Sequence, residues 1–589
     1  MRSTKSMYVS RACDVCKRRK VKCDGVEPCA NCNTSKLACS YNIQPRRRGR
    51  AVNKRPLDPK EDSNDPLSPL RPGSSPFSNK SRPTLSATTP SIPESPASAV
   101  SVAPPFPVIY GAYNAELDAI GICTSLLDCY DSLHSGQDIR DLAHHCIDLW
   151  MAFLYPVIPA GHEPTLRSAV SVFSRVSRPS ALGPASALHR DSPQLAYMKS
   201  FALITAVCAY VCSAAPASLV PLKDACASPF LQASRAMLSS YEIYDLEEPD
   251  STSLIIRTWH ASAMQNTSGK HGAAAQTHMG AELLALRLRL YDEASVLKYT
   301  PHEAQQLRAI FWLLFHSDKA SVAFSSRIYV LHEPSFDGDV TVQEYGDLSI
   351  SPHLDVTRKF NNPSLDPYIH ASFHNKRRMW LAAADLIKAV RYHPVIQITS
   401  PQSQAPSPAT IRLGHGDIQQ SELERLTAMY IKFRGSMEVR PLWTSLPEQP
   451  LRPDGTADPE TTEYRERTCW ALRSNVMTSF HCLRLIILQE CCSRGLHSVM
   501  GLENSEPLLA VWKMDIVQEF LSELQLVPFE CYKMQGEPGV QRIRQVGSRM
   551  LELVHNAPDE DIKMRAEAQC QQILDYLAKL DSKHSDELG

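Results

Sequence analysis

A small metal-organised two-helix cluster domain, a disordered Pro/Ser-rich linker and a large all-α domain are the parts the sequence predicts. Three observations predict them. Six cysteines within the first 39 residues repeat one spacing twice. Thirteen of the chain's 43 prolines fall between Pro56 and Pro107, among many serines and few large apolar side chains. Beyond Tyr110, roughly 480 residues carry apolar side chains at helical spacing, with almost no alternating strand pattern. The boundaries expected are 8–43 for the cluster domain, 44–107 for the linker, 108–556 for the helical domain and 557–589 for a C-terminal amphipathic helix and tail.

The cysteines run Cys13-x2-Cys16-x6-Cys23 and, after a five-residue loop, Cys29-x2-Cys32-x6-Cys39. A two-residue gap lets both thiolates reach one ion from a single tight turn, the usual arrangement in zinc sites. Zinc prefers four ligands, so two ions need eight ligand positions, and six sulfurs supply eight when two of them bridge. One zinc with two spare cysteines leaves the second copy of the repeat without a purpose. A disulfide framework is the other alternative. Residues 1–12 are polar and basic with no apolar run, so no secretory signal is expected, and an intracellular chain keeps its thiols reduced.

Arg11-Ala12-Cys13-Asp14-Val15-Cys16-Lys17-Arg18-Arg19-Lys20-Val21-Lys22-Cys23-Asp24-Gly25, with Pro28-Cys29-Ala30-Asn31-Cys32 and Cys39, resembles the fungal binuclear zinc-cluster transcription factors. The resemblance covers residues 11–41. It implies that two Zn(2+) ions are bound, that Cys13 and Cys29 bridge them, that Cys16 and Cys23 complete one tetrahedron, and that Cys32 and Cys39 complete the other. It also implies that a short helix starting near Cys13 enters the DNA major groove at a CGG triplet. By position, Lys20 and Arg19 would read base edges, within a DNA-binding set of Lys17, Arg18, Arg19, Lys20 and Lys22. Pro28 matches the loop proline of the family.

Guanine offers O6 and N7 as acceptors to Lys or Arg, and a cationic helix also neutralises phosphates. Charge distribution favours that reading over a merely solvated basic face. Residues 1–55 hold 15 Lys and Arg against 3 Asp and Glu, whereas the remainder holds 47 against 60. A net charge of −1 thus conceals a basic arm on an acidic body. Downstream, Arg46, Arg47, Arg48, Arg50, Lys54 and Arg55 can grip phosphates, follow a minor groove or serve nuclear import.

The linker cannot bury enough surface to offset its ordering entropy. As a flexible coil, about 50 residues span roughly 40 Å. Ser68-Pro69, Ser75-Pro76, Thr89-Pro90 and Ser95-Pro96 are candidate proline-directed phosphorylation sites. No heptad repeat follows residue 55, which leaves monomeric binding and homodimerisation through the large domain both open.

In the large domain, Thr300 caps a helix over 300–324, with Pro301 at its first position and Glu303 at its third. Leu307, Ile310, Phe311, Leu314 and Phe315 form its stripe. Cys469, Leu472, Val476, Phe480, Leu483, Ile487 and Cys491 form another, closed by Gly495. Further helices are expected near 139–154, 194–214, 273–290, 370–392, 418–436, 505–526 and 559–581. In the last, Ala566, Cys570, Ile573, Leu577 and Leu580 form a heptad-like stripe, either packed on the bundle or free to dock a partner. Ser200–Leu222 carries no charge, but its Ala and Ser content and Pro216 favour a buried helix over a membrane span.

Leu154-Tyr155-Pro156-Val157-Ile158-Pro159, His162-Glu163-Pro164-Thr165, Leu288-Arg289-Leu290-Tyr291-Asp292-Glu293 and Arg308 to Phe315 with Asp318 resemble the middle homology region that accompanies the zinc cluster. The resemblance implies an all-helical regulatory domain. Taken alone, Phe311 and Trp312 are core side chains, and Arg308 and Asp318 structural polar partners. Enzyme signatures are missing. Gly269-Lys270 lacks the upstream glycine of a phosphate loop, and neither His162-Glu163 nor His332-Glu333 has a second histidine at zinc-protease spacing. The twelve remaining cysteines are expected to be mostly buried free thiols. Ser585-Asp586-Glu587-Leu588 is followed by Gly589 and does not end as a retrieval signal.

Taken together, the sequence points to a nuclear, zinc-dependent, sequence-specific DNA-binding transcription factor, with no membrane association and with co-regulators or the transcription machinery as partners. An activator is expected; a repressor at the same site is the alternative, and an all-helical enzyme with a zinc-cluster appendage the alternative from a different class. The regulated pathway, the inducer and the half-site spacing are not encoded legibly.

Overall fold

A computed structural model describes residues 12–19, 23–26, 28–34, 38–40, 119–133, 138–174, 192–324, 329–358, 361, 365–393, 415–437 and 458–580. The chain divides into two units, Met1–Pro104 and Pro105–Gly589. In the first, two short helices face each other, α1 (Asp14–Arg19) and α2 (Ala30–Thr34). The linker expected over 44–107 and its basic run lie outside the described residues.

The second unit is helical, with no strand among the described residues. In chain order it contains α3 (Ala119–Leu133), α4 (Ile139–Leu149), a π turn (Trp150–Leu154), α5 (Glu163–Ala169), α6 (Pro193–Ala214), α7 (Lys223–Glu247), α8 (Ser251–Ser268) and α9 (His271–Arg287). After these come α10 (Glu293–Val296), α11 (Pro301–Phe324), α12 (Leu365–Tyr392), α13 (His415–Gly435), α14 (Pro459–Ser493), α15 (Glu506–Leu526), α16 (Phe529–Lys533), α17 (Gly536–His555) and α18 (Glu560–Leu580).

The core is built around α6, which packs on α4, α5, α7, α8 and α17. α6 is the one helix among the described residues long and apolar enough to cross a membrane, and 83% of its most apolar window is buried inside the fold. Its small side chains let neighbours approach on every side, so the uncharged run is a core helix. The α11 stripe is core, with Leu307, Ile310, Phe311, Leu314 and Phe315 buried; on α14 Leu472, Val476, Leu483, Ile487 and Cys491 are buried, and Cys469 and Phe480 half-buried.

Local chemistry sets several helix ends. The Asp250 carboxylate accepts from Thr252 N and Ser253 N at 2.9 and 3.2 Å, while Ser253 Oγ accepts from Asp250 N at 3.0 Å, a reciprocal cap on α8. Gly269, with φ of 61°, ends that helix in the left-handed region. On α11 the expected cap forms, Glu303 N donating to Thr300 Oγ1 at 3.3 Å. The Glu303 carboxylate does not return to Thr300. It accepts instead from Ser251 N at 2.6 Å and Ser251 Oγ at 2.8 Å, tying the start of α11 to the start of α8.

Arg308 and Asp318 are structural, through partners other than each other. Arg308 Nε donates to Glu293 at 3.2 Å, and Asp318 Oδ2 accepts from Val330 N and Leu331 N at 3.0 and 2.6 Å. The twelve cysteines of the helical unit are thiols outside any disulfide; nine are buried and Cys129, Cys469 and Cys492 half-buried.

Candidate metal centre

The two cysteine repeats superpose on each other in their contacts. Cys13 sits at the N-terminus of α1 and Cys29 at that of α2, and each carbonyl accepts the first helical hydrogen bond, from Lys17 N and Asn33 N, both at 2.9 Å. Each sulfur also accepts the amide three residues on, Cys16 N to Cys13 Sγ at 3.4 Å and Cys32 N to Cys29 Sγ at 3.3 Å. A cysteine sulfur thus takes the place of an N-cap oxygen, which orients both helices by the atoms that would bind metal. The amides of Cys13 and Cys29 in turn donate to Cys23 Sγ at 3.5 Å and Cys39 Sγ at 3.3 Å.

The cross-contacts obey the same pseudo-symmetry. Cys13 Sγ lies 3.6 Å from Cys32 Sγ, Cys29 Sγ lies 3.6 Å from Cys16 Sγ, and Cys13 and Cys29 are 3.7 Å apart. The edge of a zinc–thiolate tetrahedron with bonds of about 2.3 Å is about 3.8 Å. The donor set therefore fits zinc in kind and spacing. Cys13, Cys16, Cys29 and Cys32 converge within 4.8 Å, and Cys23 stands within the same distance of Cys29. These four are at most 2% exposed, whereas Cys23 and Cys39 are half-buried.

So many thiols this close cannot ionise together without a cation. The Cys16 amide draws the Cys13 thiol down to about 6. Burial, followed by the neighbouring sulfurs, pushes Cys16 up to about 12, and the same causes raise Cys32. A divalent ion removes the conflict by holding every ligand as thiolate.

Outside the sulfurs, Asp14 N donates to Ser40 O at 2.8 Å, and at the equivalent place in the second repeat Ala30 N donates to Asp24 Oδ2 at 2.9 Å. Ser40 Oγ returns to Asp14 Oδ2 at 3.2 Å. Asp14, Asp24 and Ser40 were not singled out in the sequence. The available signal was position, since Asp24 and Ser40 each follow the third cysteine of a repeat.

Lys17 is exposed on α1, and Arg18 and Arg19 lie on the same helix. Lys20, Lys22 and the basic residues Arg46, Arg47, Arg48, Arg50, Lys54 and Arg55 lie outside the described residues.

Residues 11–48 match the family model of the fungal Zn(2)-Cys(6) binuclear cluster domain. The N-terminal unit carries this domain. Its cofactor is two zinc ions. Similar chains are fungal transcriptional regulators. The notoamide biosynthesis transcriptional activator of Aspergillus versicolor is 47% identical over 62 residues, 10% of either chain. A transcriptional regulatory protein of Schizosaccharomyces pombe is 51% identical over 41 residues, 7% of this chain and 5% of its own. The xylanolytic transcriptional activator of Emericella nidulans is 46% identical over 46 residues, 8% of this chain and 5% of its own. The match thus spans a tenth or less of these curated relatives. No solved structure matches the chain.

Proposed function

We propose that the protein is a nuclear transcription factor that binds DNA sequence-specifically through a binuclear cluster in which Cys13 and Cys29 bridge the two zinc ions. Cys16 and Cys23 complete one site, and Cys32 and Cys39 the other. The observation that carries this is the twofold set of sulfur contacts, centred on Cys13 and Cys29. Bound zinc supplies cross-linking; the cysteine sulfurs and their amides then fix the direction of α1. The basic run Lys17 to Lys22, which begins on that helix, binds the major groove, where Lys20 and Arg19 address a CGG-type triplet and the remaining cations contact phosphates. Arg46 to Arg48, with Arg50, Lys54 and Arg55, add phosphate contacts or an import signal. The helical unit acts as the regulatory domain, with co-regulators or a second copy of the chain as partners.

Titration of matched and altered duplexes tests the reading. Lys20→Ala should lose about 1–3 kcal/mol of discrimination between CGG and altered triplets. Removing Arg46 to Arg48 should weaken binding to every duplex and flatten its salt dependence. Equal loss on matched and altered DNA for Lys20→Ala would reassign that side chain to the backbone.

Activation is favoured over repression because two of the similar regulators are named as activators. Fusion of residues 108–589 to a foreign DNA-binding domain separates the two. Raised reporter output supports activation, and lowered output supports repression. Inertness together with catalytic turnover would support an enzyme instead.

A further inference from the structure

We propose that His353, Asp366 and His370 form a second metal centre, inside the helical unit, for a divalent transition metal of the zinc class. It is independent of the DNA-binding reading. One ligand atom from each residue lies within 4.8 Å of the others. His353 Nδ1 is 3.2 Å from His370 Nε2, and His370 Nε2 is 3.5 Å from Asp366 Oδ1. Nitrogen and oxygen ligands held about 2.0–2.1 Å from a tetrahedral zinc stand about 3.3–3.4 Å apart, which these separations bracket. The imidazole planes are inclined at 63°, so the rings meet edge to face instead of stacking.

The fold presets this arrangement. Asp366 and His370 are four residues apart in the first turns of α12, on one face. His353 comes from the preceding loop and is fixed by its own backbone: its amide donates to Asp366 Oδ2 at 2.6 Å, and its carbonyl accepts from Glu163 N at 2.8 Å. The Tyr155 hydroxyl donates to Asp366 Oδ1 at 2.5 Å. Hydrogen bonds that orient a ligating carboxylate in this way are a regular part of metal sites.

Charge gives the second argument. Asp366 is 2% exposed, and no lysine or arginine among the described residues reaches it within ion-pair distance. A carboxylate removed from water needs a countercharge, and a divalent ion between the three side chains supplies it. Two imidazoles in the set select a zinc-class ion over magnesium or calcium, which take oxygen ligands. His162 and His302, half-buried and with rings 4.3 Å apart, border the same loop, Ser351 Oγ lying 3.4 Å from His302 Nδ1. Two further, less buried imidazoles thus lie beside the loop that carries His353.

The test is metal content of the full-length protein, loaded with zinc and freed of loose metal. Three zinc ions per chain are expected, falling to two in the folded double variant His353→Ala, His370→Ala with DNA affinity unchanged. In a background with Cys13, Cys16, Cys29 and Cys32 all changed to alanine, where only two cluster cysteines are left, one ion should remain; this separates failure of the second centre from failure of the first. Cobalt refilling adds a spectroscopic check: one cobalt equivalent should add d–d absorption without thiolate charge transfer. Two zinc ions in the folded wild type, or three in the folded double variant, would overturn the proposal. If the double variant does not fold, cobalt titration of the wild type decides, and charge-transfer intensity accompanying every equivalent counts against the site.

Discussion

Chelating zinc should unfold the N-terminal unit completely while leaving the helical unit intact, the largest effect expected of any single treatment. α1 has six residues and α2 five, far short of the length of roughly 12–15 at which an isolated helix becomes marginal in water. The buried hydrophobic cluster there consists of four cysteines and nothing else among the described residues. Structural zinc contributes apparent binding energies of about 10–16 kcal/mol in small domains of this kind, and that energy is folding energy. A fragment of residues 1–55 should therefore bind two zinc ions, lose its circular dichroism with chelator and regain it on zinc addition. Cys13→Ala or Cys29→Ala should be more damaging than Cys39→Ala, because a bridging sulfur serves both ions. Acid should also release the metal, since protons compete for sulfurs that burial already favours as thiols at Cys16 and Cys32. A count of one zinc per fragment would remove the bridging assignment.

Legibility in the sequence followed the physics of each signal. The cysteine centre was readable because its ligand spacing is local: each repeat spans eleven residues and is set by one turn and one loop. α11 was readable from its apolar stripe and its Thr300 cap, and the C-terminal two-thirds of α14 from its stripe alone; the start of α14, where Asp458 accepts from Thr461 N at 3.0 Å, was not. α7 was not, because Pro229 lies within it and a proline ordinarily ends a helix on its N-terminal side. α8 was missed because burial on nearly every side, from Leu254 to His260, erases the polar face that periodicity depends on. α17 begins with Gly536, Pro538 and Gly539, which read as a turn. The His353, Asp366 and His370 set was illegible for another reason: two ligands share a helix, but the third is brought in by tertiary packing of a loop.

Deleting residues 559–589 should leave the helical unit unstable or insoluble, because α18 is a packed helix. The stripe expected from the sequence is largely its buried face: Ala566, Cys570, Ile573 and Leu580 are buried, joined by Ile562, and Leu577 is partly covered. α18 lies on α15 and α17. Gly547 of α17 lets it approach closely, since a Cβ there would come within 3.2 Å of Ile573 Cγ2. Gln569 Nε2 donates to Met514 O of α15 at 3.1 Å, and the Tyr576 ring stands 5.8 Å from Tyr532. Re-exposing a fully buried large apolar side chain costs about 1.5–3 kcal/mol. Losing several at once, while baring the seam beneath, consumes most of a domain stability of about 5–15 kcal/mol. Ile573→Asp should do much of this alone by about 3–5 kcal/mol, as a carboxylate placed in the apolar seam with α17. Thermal unfolding and solubility measure both variants. A truncated protein that stays soluble with an unchanged melting temperature, yet loses self-association, would make α18 a docking helix after all.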